Sequence, residues 1–395
     1  MRTRLFGLLM AVVILLMPFS VMAQDDMMHM GMDMMEACPI PEGLPETITL
    51  GAVLTLSGGA SVYGATQQNG IQMALDEINE SGYLGEGVTL GVIFEDSASE
   101  NEQAINAMTK LVEEDQVTAV LGPTLSREAF AADPVAQENA TVVMGVSNTA
   151  AGITDMGEFV FRNSLPEAAV IPGVVSQATE NLGLTKVGLI YANDDDFTVS
   201  GFNFFKQAFQ DNGVEIIGEE TYATGDVDFR TQLTNLISAE PDVIAMSALA
   251  TEGVQIILQA RELGFEGTLM GGNGFNSPTV LDQTGEASNG LLVGAAWNMA
   301  STNPLSTAFL ESYEAAYGSL PDQFAAQAYT GTWMLATAVR CAGSVDRTAV
   351  RDALAGLADF ETPLGLFSFD ETRNPVHDPV VQIAQDGVFS VLGAE

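Results

Sequence analysis

From Ile48 onward, short apolar runs of strand length alternate with segments of helical periodicity, and the series runs through twice. Runs at 48–54, 88–95, 117–121 and 141–146 form the first strand series. Apolar residues on consecutive positions suit strands buried on both faces of a parallel sheet. Between the first two runs, Ile71, Ala74, Leu75 and Ile78 recur at helical spacing. Ser99 and Glu102 have the spacing of a capping box before a helix carrying Ile105, Met108, Leu111 and Val112 on one face. The pattern restarts with strands at 186–191, 214–217, 242–246 and 268–270 and helices at 201–212 and 252–263. Helices at 307–317, 324–342 and 347–357 follow, then strands at 366–369, 380–384 and 388–391. Strand–helix alternation at this spacing predicts the α/β class with doubly wound parallel sheets, and two series predict two lobes. A chain of 395 residues also exceeds what one core usually organises, about 250–300 residues.

Charge narrows the partners. Asp and Glu number 52 against 13 Lys and Arg, a formal net charge of −39. Nucleic-acid binding needs clustered cations to displace phosphate counterions, and an anionic membrane surface repels such a chain. The acidity suits solubility and a salty medium. Arg2 and Arg4, the apolar stretch 5–19 and Val21-Met22-Ala23 have the layout of a signal peptide over residues 1–23. No later stretch reaches 18 uncharged apolar residues, so the expected location is periplasmic or extracellular. Residues 24–46 have the composition of a Met- and Pro-rich linker. Its Met27–Met35 run, with His29, carries soft ligands that suit Cu(I); a low-complexity spacer is the other reading. Cys38 and Cys341 remain as a pair that an oxidising compartment can join as a disulfide. A lipid on Cys38 is opposed by Asp25, Asp26 and Glu36 between it and the apolar run.

Catalytic and metal motifs are missing. Only two histidines occur, His29 and His377, and no G-x-S-x-G elbow, phosphate loop, dinucleotide fingerprint or zinc spacing accompanies them. Asp194-Asp195-Asp196 lacks the Gly-centred, Glu-terminated loop of a calcium site and reads as a solvated loop. No catalytic residue, metal or cofactor is therefore expected. Small polar residues do follow strands directly: Gly122-Pro123-Thr124-Leu125-Ser126 after 117–121, and Ser147-Asn148-Thr149 after 141–146. Ligands of open α/β sheets bind outside the carboxyl ends of strands, where helix starts present free N–H groups. These two segments can cradle a carboxylate; ordinary helix capping is the alternative.

The run from Ile48 through Gly58, followed by Tyr63-Gly64, resembles the opening of type I periplasmic binding proteins, in particular the branched-chain amino acid binding proteins of ABC importers. The resemblance continues through Gly70-Ile71-Gln72-Met73-Ala74, Val120-Leu121-Gly122-Pro123, Ile257–Gly264, Gly285–Gly290 and Phe324–Tyr329, and spans nearly all of 46–395. It implies two lobes joined by three crossings near 162–164, 294–298 and 369–372. Lobe 1 would be 47–163 with 297–370, and lobe 2 would be 164–296 with 371–395. It also implies ligand residues: Ser126 and the Ser147-Asn148-Thr149 segment for a carboxylate, Tyr63 and Phe197 as aromatic walls. The position of the family's ammonium-binding glutamate holds Asn273, and a distal aromatic position holds Leu249. An amide supplies no charge to offset a buried ammonium. A carboxylate without an ammonium, or a neutral amide-like molecule, therefore fits Asn273 better than an α-amino acid; the expected ligand is a small polar molecule (amino acid-like, carboxylate or amide) delivered by a monomer to a membrane ABC permease. A soluble ligand-sensing domain is the rival reading, and an α/β enzyme a weaker one.

Overall fold

The computed structural model describes residues 38–393. The signal-peptide reading and residues 24–37, with their copper alternative, lie outside that range. Strands β1 (Thr47–Leu54), β2 (Thr89–Asp96), β3 (Ala119–Leu121), β4 (Val142–Gly145) and β5 (Val160–Arg162) form a wholly parallel sheet in the order β2-β1-β3-β4-β5. Helices α1 (Ser61–Glu80), α2 (Asn101–Thr109) and α3 (Ser126–Glu138) are its crossovers. The chain then leaves for a second sheet through α4 (Glu167–Leu182). It continues through β6 (Lys186–Ala192), α5 (Asp196–Asp211), β7 (Glu215–Tyr222), α6 (Arg230–Ser238), β8 (Val243–Ser247), α7 (Ala250–Glu262), β9 (Thr268–Gly271), α8 (Pro278–Thr284) and β10 (Leu292–Ala295). Helices α9 (Pro304–Tyr317), α10 (Gln323–Ala342) and α11 (Arg347–Ala355) return to the first sheet. A small antiparallel sheet follows, built from β11 (Phe360–Thr362), β12 (Gly365–Phe369) and β13 (Pro375–Val376). Finally β14 (Val380–Gln385) and β15 (Val388–Val391) complete the second sheet, in the order β15-β14-β10-β9-β8-β6-β7.

The α/β class with parallel sheets is as expected, with one departure. Strands β14 and β15 run antiparallel to β10 and to each other. A two-residue turn, Asp386-Gly387, joins them with φ of 51° and 81°, which is the Asp-Gly hairpin geometry and leaves no room for a crossover.

The cores follow the strand faces. Leu50, Ala52 and Leu54 of β1 pack with Ile71, Ala74 and Ile78 of α1 and with Tyr329, Trp333 and Leu335 of α10. Helices α1 and α10 approach so closely that a Cβ on Gly70 would sit 2.3 Å from the carbonyl oxygen of Ala325. Around the second sheet, Ile190, Ile244, Met246 and Leu269 pack on one side with Phe229, Ile257 and Phe275. Val187, Leu189 and Ala245 pack on the other with Phe205, Phe209 and Val175.

The predicted capping box at Ser99 is not formed. Ser99 has φ of 62°, and its hydroxyl accepts from the N–H of Ala60 and donates to the carbonyl of Ser57. Helix α2 begins two residues later without a side-chain cap. The serine is used to hold the loop before α1, a tertiary contact that outweighs a local cap.

Three carboxyl groups, two buried (Glu128 and Asp322) and one half-buried (Glu77), give stability a pH dependence. Burial pushes Glu77, Glu128 and Asp322 each up to about 7, against partly offsetting hydrogen bonds. The folded chain therefore holds these protons over a range in which the unfolded chain, ionising near pH 4, has released them. Their contribution is complete below that pH and is lost as pH rises through about 7. The melting temperature is expected to fall between pH 5 and 7.5. Glu128→Gln, whose amide oxygen can still accept the Leu125 N–H bonded by Glu128, should flatten that slope. An unchanged slope in a melting series would refute the assignment.

Candidate functional site

The turn after β3 is shaped by one glycine. Gly122 has φ of 96°, and a Cβ there would lie 2.1 Å from the carbonyl oxygen of Val53, so no larger residue fits. This lets the chain fold back and deliver Ser126 to the first position of α3. The turn after β4 is fastened to it. Ser147 donates its hydroxyl to the Thr124 carbonyl at 2.6 Å, and the Asn148 amide donates to the Pro123 carbonyl at 2.9 Å. The N–H groups of Thr149 and Ala150 both donate to Ser126 Oγ at 3.2 Å. From α1, Gln67 braces both turns: its amide donates to Ser147 Oγ and its oxygen accepts from Thr124 Oγ1, each at 2.7 Å. The two predicted segments thus form one hydrogen-bonded platform at the carboxyl end of the first sheet.

Residues of the second sheet close over this platform. Tyr63, in the first turn of α1, donates its hydroxyl to the Gly274 carbonyl at 2.8 Å and accepts from the Ala250 N–H at 2.7 Å. Burial holds its phenol well above the ordinary range, so it stays neutral. Its ring packs on Phe324 with centroids 4.7 Å apart. Asn273, in the turn after β9, donates to the Ser147 carbonyl at 3.3 Å and accepts from the Gln323 amide. Arg127 pairs with Asp195 at 3.2 Å, where Asp195 also caps α5 by accepting from the Thr198 N–H. Thr251 donates to the Gly59 carbonyl at 2.7 Å. These contacts describe a closed cleft.

Between the two halves lies a small cavity. Tyr63, Ser126, Ser147, Asn148, Phe197 and Asn273, six of the seven residues expected to meet a ligand, line it together. Thr149 does not. Its backbone N–H supports Ser126, and its hydroxyl is buried without a hydrogen-bond partner among the described residues. Phe197 reaches the cavity from the first turn of α5, a helix that starts five residues earlier than its periodicity indicated. Thr124 and Leu125 of the first polar segment line the space as well, and so do Asp195 and Phe324, which were not anticipated. Asp195 was visible only as the centre of an acidic triplet, and nothing local marks Arg127 as its partner. The disulfide expected from the cysteine pair is present, joining Cys38 to Cys341 with Cα atoms 4.9 Å apart. Among the described residues, no helix is long and apolar enough to cross a membrane, and no group of three or more His, Cys, Asp or Glu side chains is placed to hold a metal ion.

Comparison with known proteins agrees with this geometry. The family model described as periplasmic binding protein matches residues 47–387. The Leu/Ile/Val-binding protein BraC3 of Rhizobium johnstonii is 28% identical over 329 residues, covering 82% of this chain and 88% of the relative. The branched-chain amino acid transporter substrate binding protein LivJ of Streptococcus pneumoniae, solved with isoleucine, superposes with a TM-score of 0.81. It is 29% identical, covering 87% of this chain and 98% of its own. The leucine binding protein LivK of Thermotoga maritima gives 0.82 at 28% identity, covering 87% of this chain and 97% of its own. A cleft at strand ends between two sheets, and a family match across that whole region, lead to one conclusion: the chain belongs to the periplasmic binding protein family.

Proposed function

We propose that this chain is the exported solute-binding component of an ABC importer. It would bind a small polar ligand bearing a carboxylate or amide between two lobes and pass it, chemically unchanged, to a membrane permease. The lobes are 47–163 with 297–370, and 164–296 with 371–395, working as a monomer. The observation that carries the reading is the shared cavity, in which Ser126, Ser147 and Asn148 from the first sheet face Phe197 and Asn273 from the second. Closure excludes water and strengthens each polar contact with the ligand, and the permease recognises the closed form. The transport names of the relatives favour import over ligand sensing.

The test is Ser126→Ala in mature protein stripped of co-purified ligand by unfolding and refolding. A hydrogen bond to a charged group contributes about 1.5–3 kcal/mol, so affinity should fall roughly ten- to hundredfold by calorimetry. Native mass spectrometry of the unstripped protein supplies the ligand. Unchanged affinity in the variant would remove the platform from the binding site.

A further inference from the structure

Among the described residues, one ion pair joins the two halves: Arg127 of α3 with Asp195, which caps α5. The others lie within one half, as Lys206 with Glu219 and Arg351 with Glu158 do. The Arg127 and Asp195 side chains are 16% and 2% exposed, so water and salt screen this pair less than a surface pair. The chain carries a formal net charge of −39, and both halves are rich in Asp and Glu. Bringing two acidic bodies together costs repulsion unless a cation is set between them.

Each partner is already positioned inside its own half. The other arm of the Arg127 guanidinium donates to the Ser99 carbonyl at 2.7 Å, and Ser99 is the residue that holds the loop before α1. Asp195 accepts from the Thr198 N–H at 3.0 Å, and the start of a helix favours its negative charge. Neither side chain has to be reordered for the pair to form, so closure sacrifices little freedom there. On the second half, Asp194 accepts from the Thr224 N–H at 2.9 Å, and the buried Glu252 accepts from the Gly225 N–H at 3.0 Å. Arg127 is the cation that acts on Asp194, Asp195 and Glu252 alike. Burial pushes Asp195 and Glu252 toward the neutral form, and the arginine opposes that. Thr251, next to Glu252, donates to the Gly59 carbonyl, so the loop steadied by Ser99 meets the same face of the second half. Asp195 lines the ligand cavity, whereas Arg127 does not.

We propose that Arg127 is a positioning residue for closure: it reaches across the cleft to Asp195 and sets what share of the molecules is closed, without touching the ligand. How tightly a ligand is held follows from that share, because apparent affinity scales with the population competent to bind. This consequence rests on the cleft being the binding site. The pairing of the two halves does not, since both side chains and their supports belong to the chain itself.

The experiment measures the separation of spin labels placed on Glu102→Cys and Val227→Cys, exposed positions on the two halves; among the described residues no free cysteine competes for the label. Mature protein is measured as purified and after stripping. Wild type should show a short-distance population beside a long one. Arg127→Met and Asp195→Asn, whose amide oxygen still accepts the Thr198 N–H, should each lower the short-to-long ratio about tenfold, the size of a coupling between charges in contact. The double variant should do no worse than Arg127→Met alone, because both changes remove the same contact. Arg127→Lys should recover part of the ratio, and Lys206→Met, which breaks a pair inside one half, should leave it unchanged. Single variants within about twofold of wild type, losses that multiply in the double variant, or a wild type with long distances alone would each overturn the proposal. So would an Arg127→Met protein that melts lower at an unaltered ratio, the mark of a purely structural arginine. Ser126→Ala separates the two readings. If native mass spectrometry finds it without the small molecule that wild type retains, while Arg127→Met leaves the ratio intact, the cleft stands and the role of Arg127 falls. If Ser126→Ala retains that molecule while Arg127→Met opens the protein, the role in closure stands and the ligand sits elsewhere.

Discussion

Replacing Tyr63 with alanine is expected to weaken ligand binding by about a hundredfold or more while both sheets stay folded. The residue joins the two halves by a donated bond to Gly274 and an accepted bond from Ala250, and its ring is set for both by packing within its own half on Phe324 of α10. Leaving a buried donor or acceptor unpaired costs about 1–3 kcal/mol, and truncating a buried aromatic about 3–5 kcal/mol. Most of this falls on the closed form, because opening exposes the Gly274 carbonyl and the Ala250 N–H to water. The competent population shrinks, and apparent affinity falls with it. Tyr63→Phe keeps the ring and should lose only about tenfold, roughly the effect of one hydrogen bond. Calorimetry gives the affinities, and small-angle scattering should show the alanine variant more expanded in the presence of ligand. Affinity within threefold of wild type in Tyr63→Ala would mean that these contacts do not hold the cleft shut.

Breaking the Cys38–Cys341 disulfide should cost stability and spare binding. The bond joins residues 303 apart in sequence and fastens the start of the described chain to the last turn of α10. Arg340 reinforces the junction by donating to the Cys38 and Tyr83 carbonyls, each at 2.6 Å, with its guanidinium over the Tyr83 ring. Loss of a native disulfide typically costs about 2–5 kcal/mol, through restriction of the unfolded chain. For a chain of this size that is a fall in melting temperature of roughly 5–15 °C. The Cys38→Ser, Cys341→Ser double variant and reduced wild type should melt together, below oxidised wild type. Because neither cysteine lines the cavity, ligand affinity at 25 °C should stay within twofold. A matching loss of affinity would place the N-terminal segment in the opening and closing motion.

Reading the chain from its pattern succeeded where burial is two-sided and failed where local signals compete. The strands β1, β3, β4, β6, β8 and β9 are continuous apolar runs, so their existence was plain. Helix α4 escaped notice because Pro172 and Gly173 interrupt its apolar positions, yet Ile171, Val174 and Val175 still bury one face. Helix α6 was missed because only Leu233 and Leu236 are buried along it, too few to show a period. The Asp386-Gly387 turn was legible as a hairpin signal, and with it the antiparallel edge, but alternation alone suggested parallel strands. Among the site residues, Ser126, Ser147 and Asn148 could be found because each lies in a short polar segment that begins just after a strand. Asp195 could not, since an acidic triplet is ordinary in so acidic a chain, and only the fold brings Arg127 against it.

The sequence by itself determined the strand–helix order, the positions of the two polar turns and the candidate disulfide, because each depends on spacing along the chain or on residue count. Only the tertiary structure decided which side chains face the cavity. It set Thr149 behind the wall and paired Arg127 with Asp195. The physical reason is separation. The bond from Ala250 to Tyr63 spans 187 residues, and no local periodicity carries information about which of two distant elements will meet when a cleft closes.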